Sequence, residues 1–172
     1  MHRIRSTSTG WSLLEQSIVL AVLAVLCALL LPSMSDALDR WRTDMLRMRL
    51  VSVFNSARAT AITRHQRISV CPSADGATCD SDWRGGWLIR RHPADSEGAL
   101  VLHHHAVQPY PQVRVHASQG RAQLTFQADG RSAGSTLTLD LCAGERWHSQ
   151  VIVNNVGRTR STRIRASLPC PD

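Results

Sequence analysis

The segment G-R-T-R-S-T-R-I-R, residues 157–165, gathers four arginines and no acid into nine residues. If it is extended, Arg158 and Arg160 share one face about 6.6 Å apart. That separation is comparable to the distance between neighbouring phosphates along a nucleic-acid strand. A guanidinium is a planar fork that pairs bidentately with phosphate, and the hydroxyls of Ser161 and Thr162 can add contacts to phosphate oxygens. Arg163 and Arg165 make a second pair, expected on a following strand, and Gly157 suits a tight turn ahead of the first. The chemistry-free alternative is a solvated edge strand whose charges discourage edge-to-edge pairing.

A second feature is an acid in apolar company. Glu15 stands three residues before the uninterrupted apolar run Ile18–Leu31. A charge at the centre of a bilayer costs about 2.5–3.5 kcal/mol even on lenient scales, so a partner is expected. Cleavage after Gly10 would free an α-amine on Trp11. A neighbouring copy of the helix, shifted along its axis, would then bring that ammonium to Glu15 and set the stagger between subunits. The rival is an ordinary secretory signal with Ser33-Met34-Ser35 as its cleavage site. An acid near the start of a discarded segment has no use, so Glu15 favours the retained helix.

Catalytic patterns are not found. His103, His104 and His105 fall in a strand-like run, where alternation puts His103 and His105 on one face, but no neighbouring Cys or carboxylate completes a metal site. G-x-S-x-G, H-E-x-x-H and P-loop patterns do not occur. Neither an enzyme nor a cofactor is expected. Of five cysteines, Cys27 lies in the apolar run and Cys71, Cys79, Cys142 and Cys170 in the polar remainder. An even set beyond a membrane segment suggests disulfides in an oxidising compartment. Zinc is the rival, without its usual short C-x2–4-C pairs.

The elements that must position these residues follow from periodicity. Trp11–Leu31 as a helix is about 32 Å long, enough to cross a bilayer core. The preceding residues carry Arg3 and Arg5, whereas residues 32–46 carry three acids against two arginines. That asymmetry places the N-terminus in the cytoplasm and the bulk of the chain outside. Beyond Pro32, Met34, Leu38, Trp41, Met45 and Met48 form one helical apolar line. Leu46, Leu50, Val53 or Phe54, Ala57 and Ala61 form a second, giving a helix over 33–64 that packs on a sheet. Strands are expected at 67–71, 86–91, 99–104, 112–116, 122–127, 135–142, 150–154 and 162–167. Turn signals fall at Asp75-Gly76, Asp129-Gly130, Ala143-Gly144 and Val156-Gly157. A long helix followed by antiparallel strands is an α+β architecture. The formal charge is +7, and all twenty basic residues are arginine, a weak pointer to anionic partners.

G-W-S-L-L-E, residues 10–15, resembles the processing site of type IV prepilins and pseudopilins. Gly10 matches the residue before the cut, Trp11 the new and N-methylated first residue, and Glu15 the assembly acid. Pro32 matches the proline just past the apolar run. C-P-S-A-D-G…C…W-R-G-G-W from Cys71, L-T-F-Q-A-D-G-R-S from Leu124 and V-I-V-N-N-V-G-R-T-R from Val151 resemble the GspH/FimT group of minor pilins and pseudopilins. The resemblance implies a type IV pilin-like fold: a leader at 1–10, a transmembrane helix at 11–31, the periplasmic part of the helix at 32–64 and a β-rich head at 65–172. Cys71 and Cys79 bracket a small loop as a first disulfide, which leaves Cys142 and Cys170 as a second pair. Trp83 and Trp87 are expected to serve packing.

In the family, a G-R-x-R motif near the C-terminus is associated with DNA binding during natural transformation. Arg158 and Arg160 match it, with Arg163 and Arg165 as further candidates. The implied role is a minor pilin in the inner membrane and then in a pilus. Its partners would be other pilin subunits, the prepilin peptidase and N-methylase, and DNA bound without sequence preference. The alternative is an H-type pseudopilin of a type II secretion system, with a structural role at the tip.

Overall fold

The computed structural model describes residues 12–92, 100–107, 109–118, 121–132, 134, 136–165 and 168–171. The processing site expected at Gly10 and Trp11 lies outside them. The chain divides into two compact units, Met1–Leu38 and Asp39–Asp172.

Helix α1 runs over Leu13–Arg64. Ser12 caps it: its Oγ accepts hydrogen bonds from the backbone N–H of Leu14 at 3.2 Å and of Glu15 at 3.4 Å. Glu15 thus occupies the third helical position, where the exposed N–H dipoles favour an acid. Pro32 has no N–H to donate to the preceding turn. No single helix among the described residues is long and apolar enough to cross a membrane. Leu13–Leu29 and Met34–Arg64, taken as a bent pair, pass by length and composition. The transmembrane helix expected over 11–31 begins at a residue outside the described ones, and the part described is the first stretch of α1.

In the second unit the helix meets eight strands: β1 Ile68–Pro72, β2 Gly86–Arg91, β3 Val101–Ala106, β4 Val113–Ala117, β5 Leu124–Phe126, β6 Leu137–Ala143, β7 Arg146–Val153 and β8 Thr159–Arg163. They form two antiparallel sheets, ordered β3-β2-β1-β5 and β4-β6-β7-β8. Leu46, Leu50, Val53, Phe54, Ala57 and Ala61 are buried with the inward residues of both sheets, among them Val70, Ile89, Phe126, Leu139 and Val151. Strand β6 shows why: Leu137, Leu139 and Leu141 alternate inward while Thr138 and Asp140 do not, the period-two pattern of a half-buried strand. Only one of the two apolar helix lines is used. Trp41 is 61% and Met48 52% exposed, because a helix lying on a sheet buries a single stripe.

Trp83 and Trp87 are packing residues. Trp83 lies against Phe54 with ring centroids 5.8 Å apart, and the Trp87 indole N–H donates to the Trp83 carbonyl at 3.0 Å. Two disulfides close the head, Cys71–Cys79 and Cys142–Cys170, with Cα atoms 5.7 and 5.9 Å apart. In the first loop the Asp75 carboxylate accepts hydrogen bonds from Thr78, Ala77 and Ser73, which hold its carboxyl well below the usual range. The second disulfide draws the C-terminal tail back onto the β6–β7 hairpin. There Cys170 N–H donates to the Glu145 carbonyl at 2.8 Å and Trp147 N–H to the Leu168 carbonyl at 3.0 Å.

The last strand differs from expectation. β8 occupies Thr159–Arg163, not 162–167, and β7 begins at Arg146. The chain turns back directly after Val153, and T-R-S-T-R pairs with β7 from Val153↔Thr159 to Ser149↔Arg163. The second arginine pair on a following strand is therefore not formed: Arg163 ends β8 itself and Arg165 lies just beyond it. An edge strand with no apolar alternation leaves no period-two signal to read.

Candidate functional site

The site is built on the β7–β8 turn. Gly157 holds φ at +76°, a left-handed conformation that glycine adopts without steric cost. Its N–H donates to the Asn154 carbonyl at 2.8 Å. The Asn154 side chain accepts the Arg158 N–H at 2.9 Å, and Asn154 N–H returns to the Arg158 carbonyl at 3.2 Å. The turn is then locked to its neighbour: Ser132 donates its N–H to the Asn155 carbonyl and its hydroxyl to the Asn154 carbonyl. From the helix, Arg58 Nε donates to the Gly130 carbonyl at 3.1 Å. Arg158 therefore leaves a turn whose backbone is hydrogen-bonded on both sides.

Register sorts the arginines by face. Val151↔Ser161 and Val153↔Thr159 are paired, and Val151 and Val153 are buried, so Thr159, Ser161 and Arg163 look inward toward α1. Ile152↔Arg160 and Gln150↔Thr162 put Arg160 and Thr162 on the outer face, and Arg158 lies in the turn just before the strand. Arg158, Arg160, Arg163 and Arg165 are all exposed. Neither Arg158 nor Arg160 spends its guanidinium on an ion pair with a described residue.

Arg163 does. Its Nε lies 2.9 Å and its Nη2 2.5 Å from the two oxygens of Asp44. Arg47 Nε also donates to Asp44 at 2.9 Å, and another arm of Arg47 donates to the Ser161 hydroxyl at 2.7 Å. The hydrogen bond from Arg163 foremost, helped by Arg47 and opposed by partial burial, brings the Asp44 carboxyl down to about 2. Nearby, burial holds the His148 imidazole below its ordinary value; Asp44 opposes that shift, and the charges of Arg163, Arg47 and Arg40 support it. Sequence reasoning missed Asp44, Arg47 and Arg58, whose contacts with the turn and β8 span 72–119 residues.

The remaining candidates fall elsewhere. His103 and His105 share a face of β3 with ring centroids 6.5 Å apart. The His104 ring covers Gly76, where an added Cβ would stand 2.7 Å from its Nδ1. Among the described residues no group of three His, Cys, Asp or Glu side chains is placed to hold a metal ion. Glu15 lies in the other unit, exposed in the first helical turn. What the β8 edge offers chemically is a row of cations on a fixed backbone. It can bind a polyanion by charge, and no helix is presented there to read a groove.

Comparison with known proteins gives the fold a context. A family model described as type II transport protein GspH matches residues 47–157. Two crystal structures of the type IV minor pilin FimU from Pseudomonas aeruginosa strain PAO1 share the fold. One has a TM-score of 0.59 at 20% identity over 77% of this chain and 94% of that one; the other has 0.57 at 19% identity over 74% and 96%. Among curated proteins none matches the chain.

Proposed function

The chain belongs to the GspH family of minor pilins and pseudopilins, and on that premise we propose that it is a minor pilin whose β8 edge binds extracellular DNA without sequence preference. The observation that carries this reading is the placement of Arg158 and Arg160. Arg160 stands on the outer face of edge strand β8 and Arg158 in the locked turn just before it; both are exposed and have no acid of their own among the described residues. Phosphate contacts of this kind position a duplex but do not read its bases. The fit is therefore to DNA taken up from outside, whatever its sequence.

The rest of the proposal follows the N-terminal motif. The chain is inserted in the inner membrane with its head on the periplasmic side, and a prepilin peptidase cuts after Gly10 and methylates Trp11. Assembly with other pilin subunits then pairs Glu15 with the ammonium of a neighbour. A structural and binding role needs no cofactor and no catalytic group. The competing reading, an H-type pseudopilin in type II secretion, is favoured by the family's description. In that reading the same fold would bind other pseudopilins rather than DNA.

The test is a titration of fluorescent duplex DNA with the full chain in non-ionic detergent, at several salt concentrations. Replacing Arg158 and Arg160 together by Ala is expected to weaken binding roughly tenfold, or about 1.4 kcal/mol. It should also flatten the log–log salt slope by about 0.9 for each phosphate no longer neutralised. Unchanged affinity and slope in a folded variant favour the pseudopilin.

A further inference from the structure

Arg163 is the one arginine of the four that a described acid holds, and the acid copies the ligand. Two N–H groups of its fork meet the two oxygens of Asp44, the arrangement an arginine makes with a phosphate. We propose that Asp44 is a built-in competitor that withholds Arg163 from DNA, so that the two residues form a charge gate on the β8 edge. The inference rests on the nucleic-acid reading above and concerns the regulation of that site.

The geometry makes the gate asymmetric. The Arg163 side chain is 62% exposed and that of Asp44 only 21%, so the arginine can swing into water while the carboxylate stays. Asp44 is fixed from a second direction by Arg47, which is itself anchored on the Ser161 hydroxyl. When Arg163 leaves, Asp44 keeps Arg47 as a cationic partner, and no bare carboxylate is created at the helix surface. An ion pair this exposed contributes little on its own, which suits a contact meant to be exchanged. β8 is the last strand of its sheet. Among the described residues nothing pairs with its free edge, so an Arg163 released from Asp44 has open space beyond that edge in which to meet a phosphate. A duplex held by those two supplies the phosphate that competes for the third. Closed, the gate keeps Arg163 on Asp44; open, it adds one cation to those the β8 edge already exposes.

The gate makes a double-mutant prediction for the same DNA titration with the full chain. Asp44→Asn is expected to bind roughly threefold tighter and to steepen the salt slope by about 0.9, the value of one more neutralised phosphate. Arg163→Ala alone stays within about twofold of wild type, because the wild-type arginine is withheld. The pair Asp44→Asn with Arg163→Ala returns to the wild-type affinity. Asp39→Asn removes the same charge from the same helix, at a carboxylate paired with Arg42, and should not reproduce the effect.

An Asp44→Asn chain with unchanged affinity and slope overturns the gate. So does a gain that survives Arg163→Ala or is matched by Asp39→Asn, since that is a general field effect. An Arg163→Ala loss as large as that of Arg158→Ala also overturns it, by showing the arginine already in use. If Arg158 and Arg160 prove dispensable, the nucleic-acid reading fails and the gate with it, whatever Asp44 does. Should Asp44→Asn not fold, Asp44→Ser carries the same expectations.

Discussion

Gly157 and Gly130 meet backbone to backbone: a Cβ added to Gly157 would stand 1.9 Å from the Gly130 carbonyl oxygen. That oxygen is also the acceptor of Arg58 Nε. The two turns therefore stack with no side chain between them, and the helix clips the lower one. The glycine of G-R-x-R is required by this contact as much as by its own φ, which ties the direction of Arg158 to the packing of the 129–130 turn.

Gly157→Ala should consequently be among the most damaging single changes in the head. The left-handed conformation alone costs a non-glycine residue about 1–2 kcal/mol, and relieving the clash costs about 1–3 kcal/mol more. A fall in the thermal midpoint and a loss of DNA affinity are expected together. A variant that melts like wild type would mean the two turns can separate freely.

The disulfide Cys142–Cys170, with partners 28 residues apart, spans β8 and returns the tail to the β6–β7 hairpin. Chain-entropy reasoning assigns such a loop about 3–4 kcal/mol. Replacing both cysteines by Ser should lower the urea midpoint accordingly. It should also raise amide exchange in the segment after Arg163 before it does so in β1 or β2. Uniform exchange across the head would show that the bridge does not act on the tail in particular.

Asp44 gives the head a specific acid sensitivity. Its pKa is depressed in the folded chain, from 3.8 to about 2. Its contribution is therefore fully present above about pH 4 and lost as pH falls from there toward 2. Water screens the site, so the effect is discounted to at most about 1 kcal/mol. Wild type and Asp44→Asn should differ in urea midpoint at pH 6 and converge as the pH nears 2. A difference that persists at the acidic end would assign the effect to packing.

What was legible depended on whether a residue's partner was local. Strand β2 is found at Gly86–Arg91 as read, because W-L-I is an apolar run between turn signals and lies buried in its sheet. The helix could be placed from its apolar lines, but the choice of buried line could not. Leu46 and Leu50 lie under the sheets while Trp41 and Met48 lie in water, and periodicity does not say which face a sheet will take. β8 was displaced for a related reason. Two of its inward side chains, Ser161 and Arg163, are held by polar contacts to Arg47 and Asp44 on α1, not by apolar burial. The same distance in sequence hid the difference between Arg163 and its neighbours. Four arginines look alike in a row, and only the fold shows that one of them is occupied. The cap at Ser12 has the S-x-x-E pattern of a capping box, and its hydrogen bonds to Leu14 and Glu15 are local ones.

Glu15 accordingly has a local role and a proposed one to separate. As the third residue of a Ser12-capped helix it stabilises the helix start, a local effect of about 0.3–1 kcal/mol. In the proposed assembly role it would supply a negative charge to an ammonium on a neighbouring subunit, in surroundings where an unpaired charge is costly. Glu15→Gln divides these roles, because Gln serves at the third position of a capping box as Glu does but carries no charge. If pairing is the function, Glu15→Gln chains should reach the membrane and be processed normally. Their share in sheared filaments should then fall roughly tenfold, as about 1.4 kcal/mol of lost assembly energy would require. If capping is the function, incorporation should stay at the wild-type level in Glu15→Gln and drop modestly in Glu15→Ala. Measuring the three proteins in sheared and membrane fractions decides the matter, since only the loss of charge distinguishes Gln from Glu at that position.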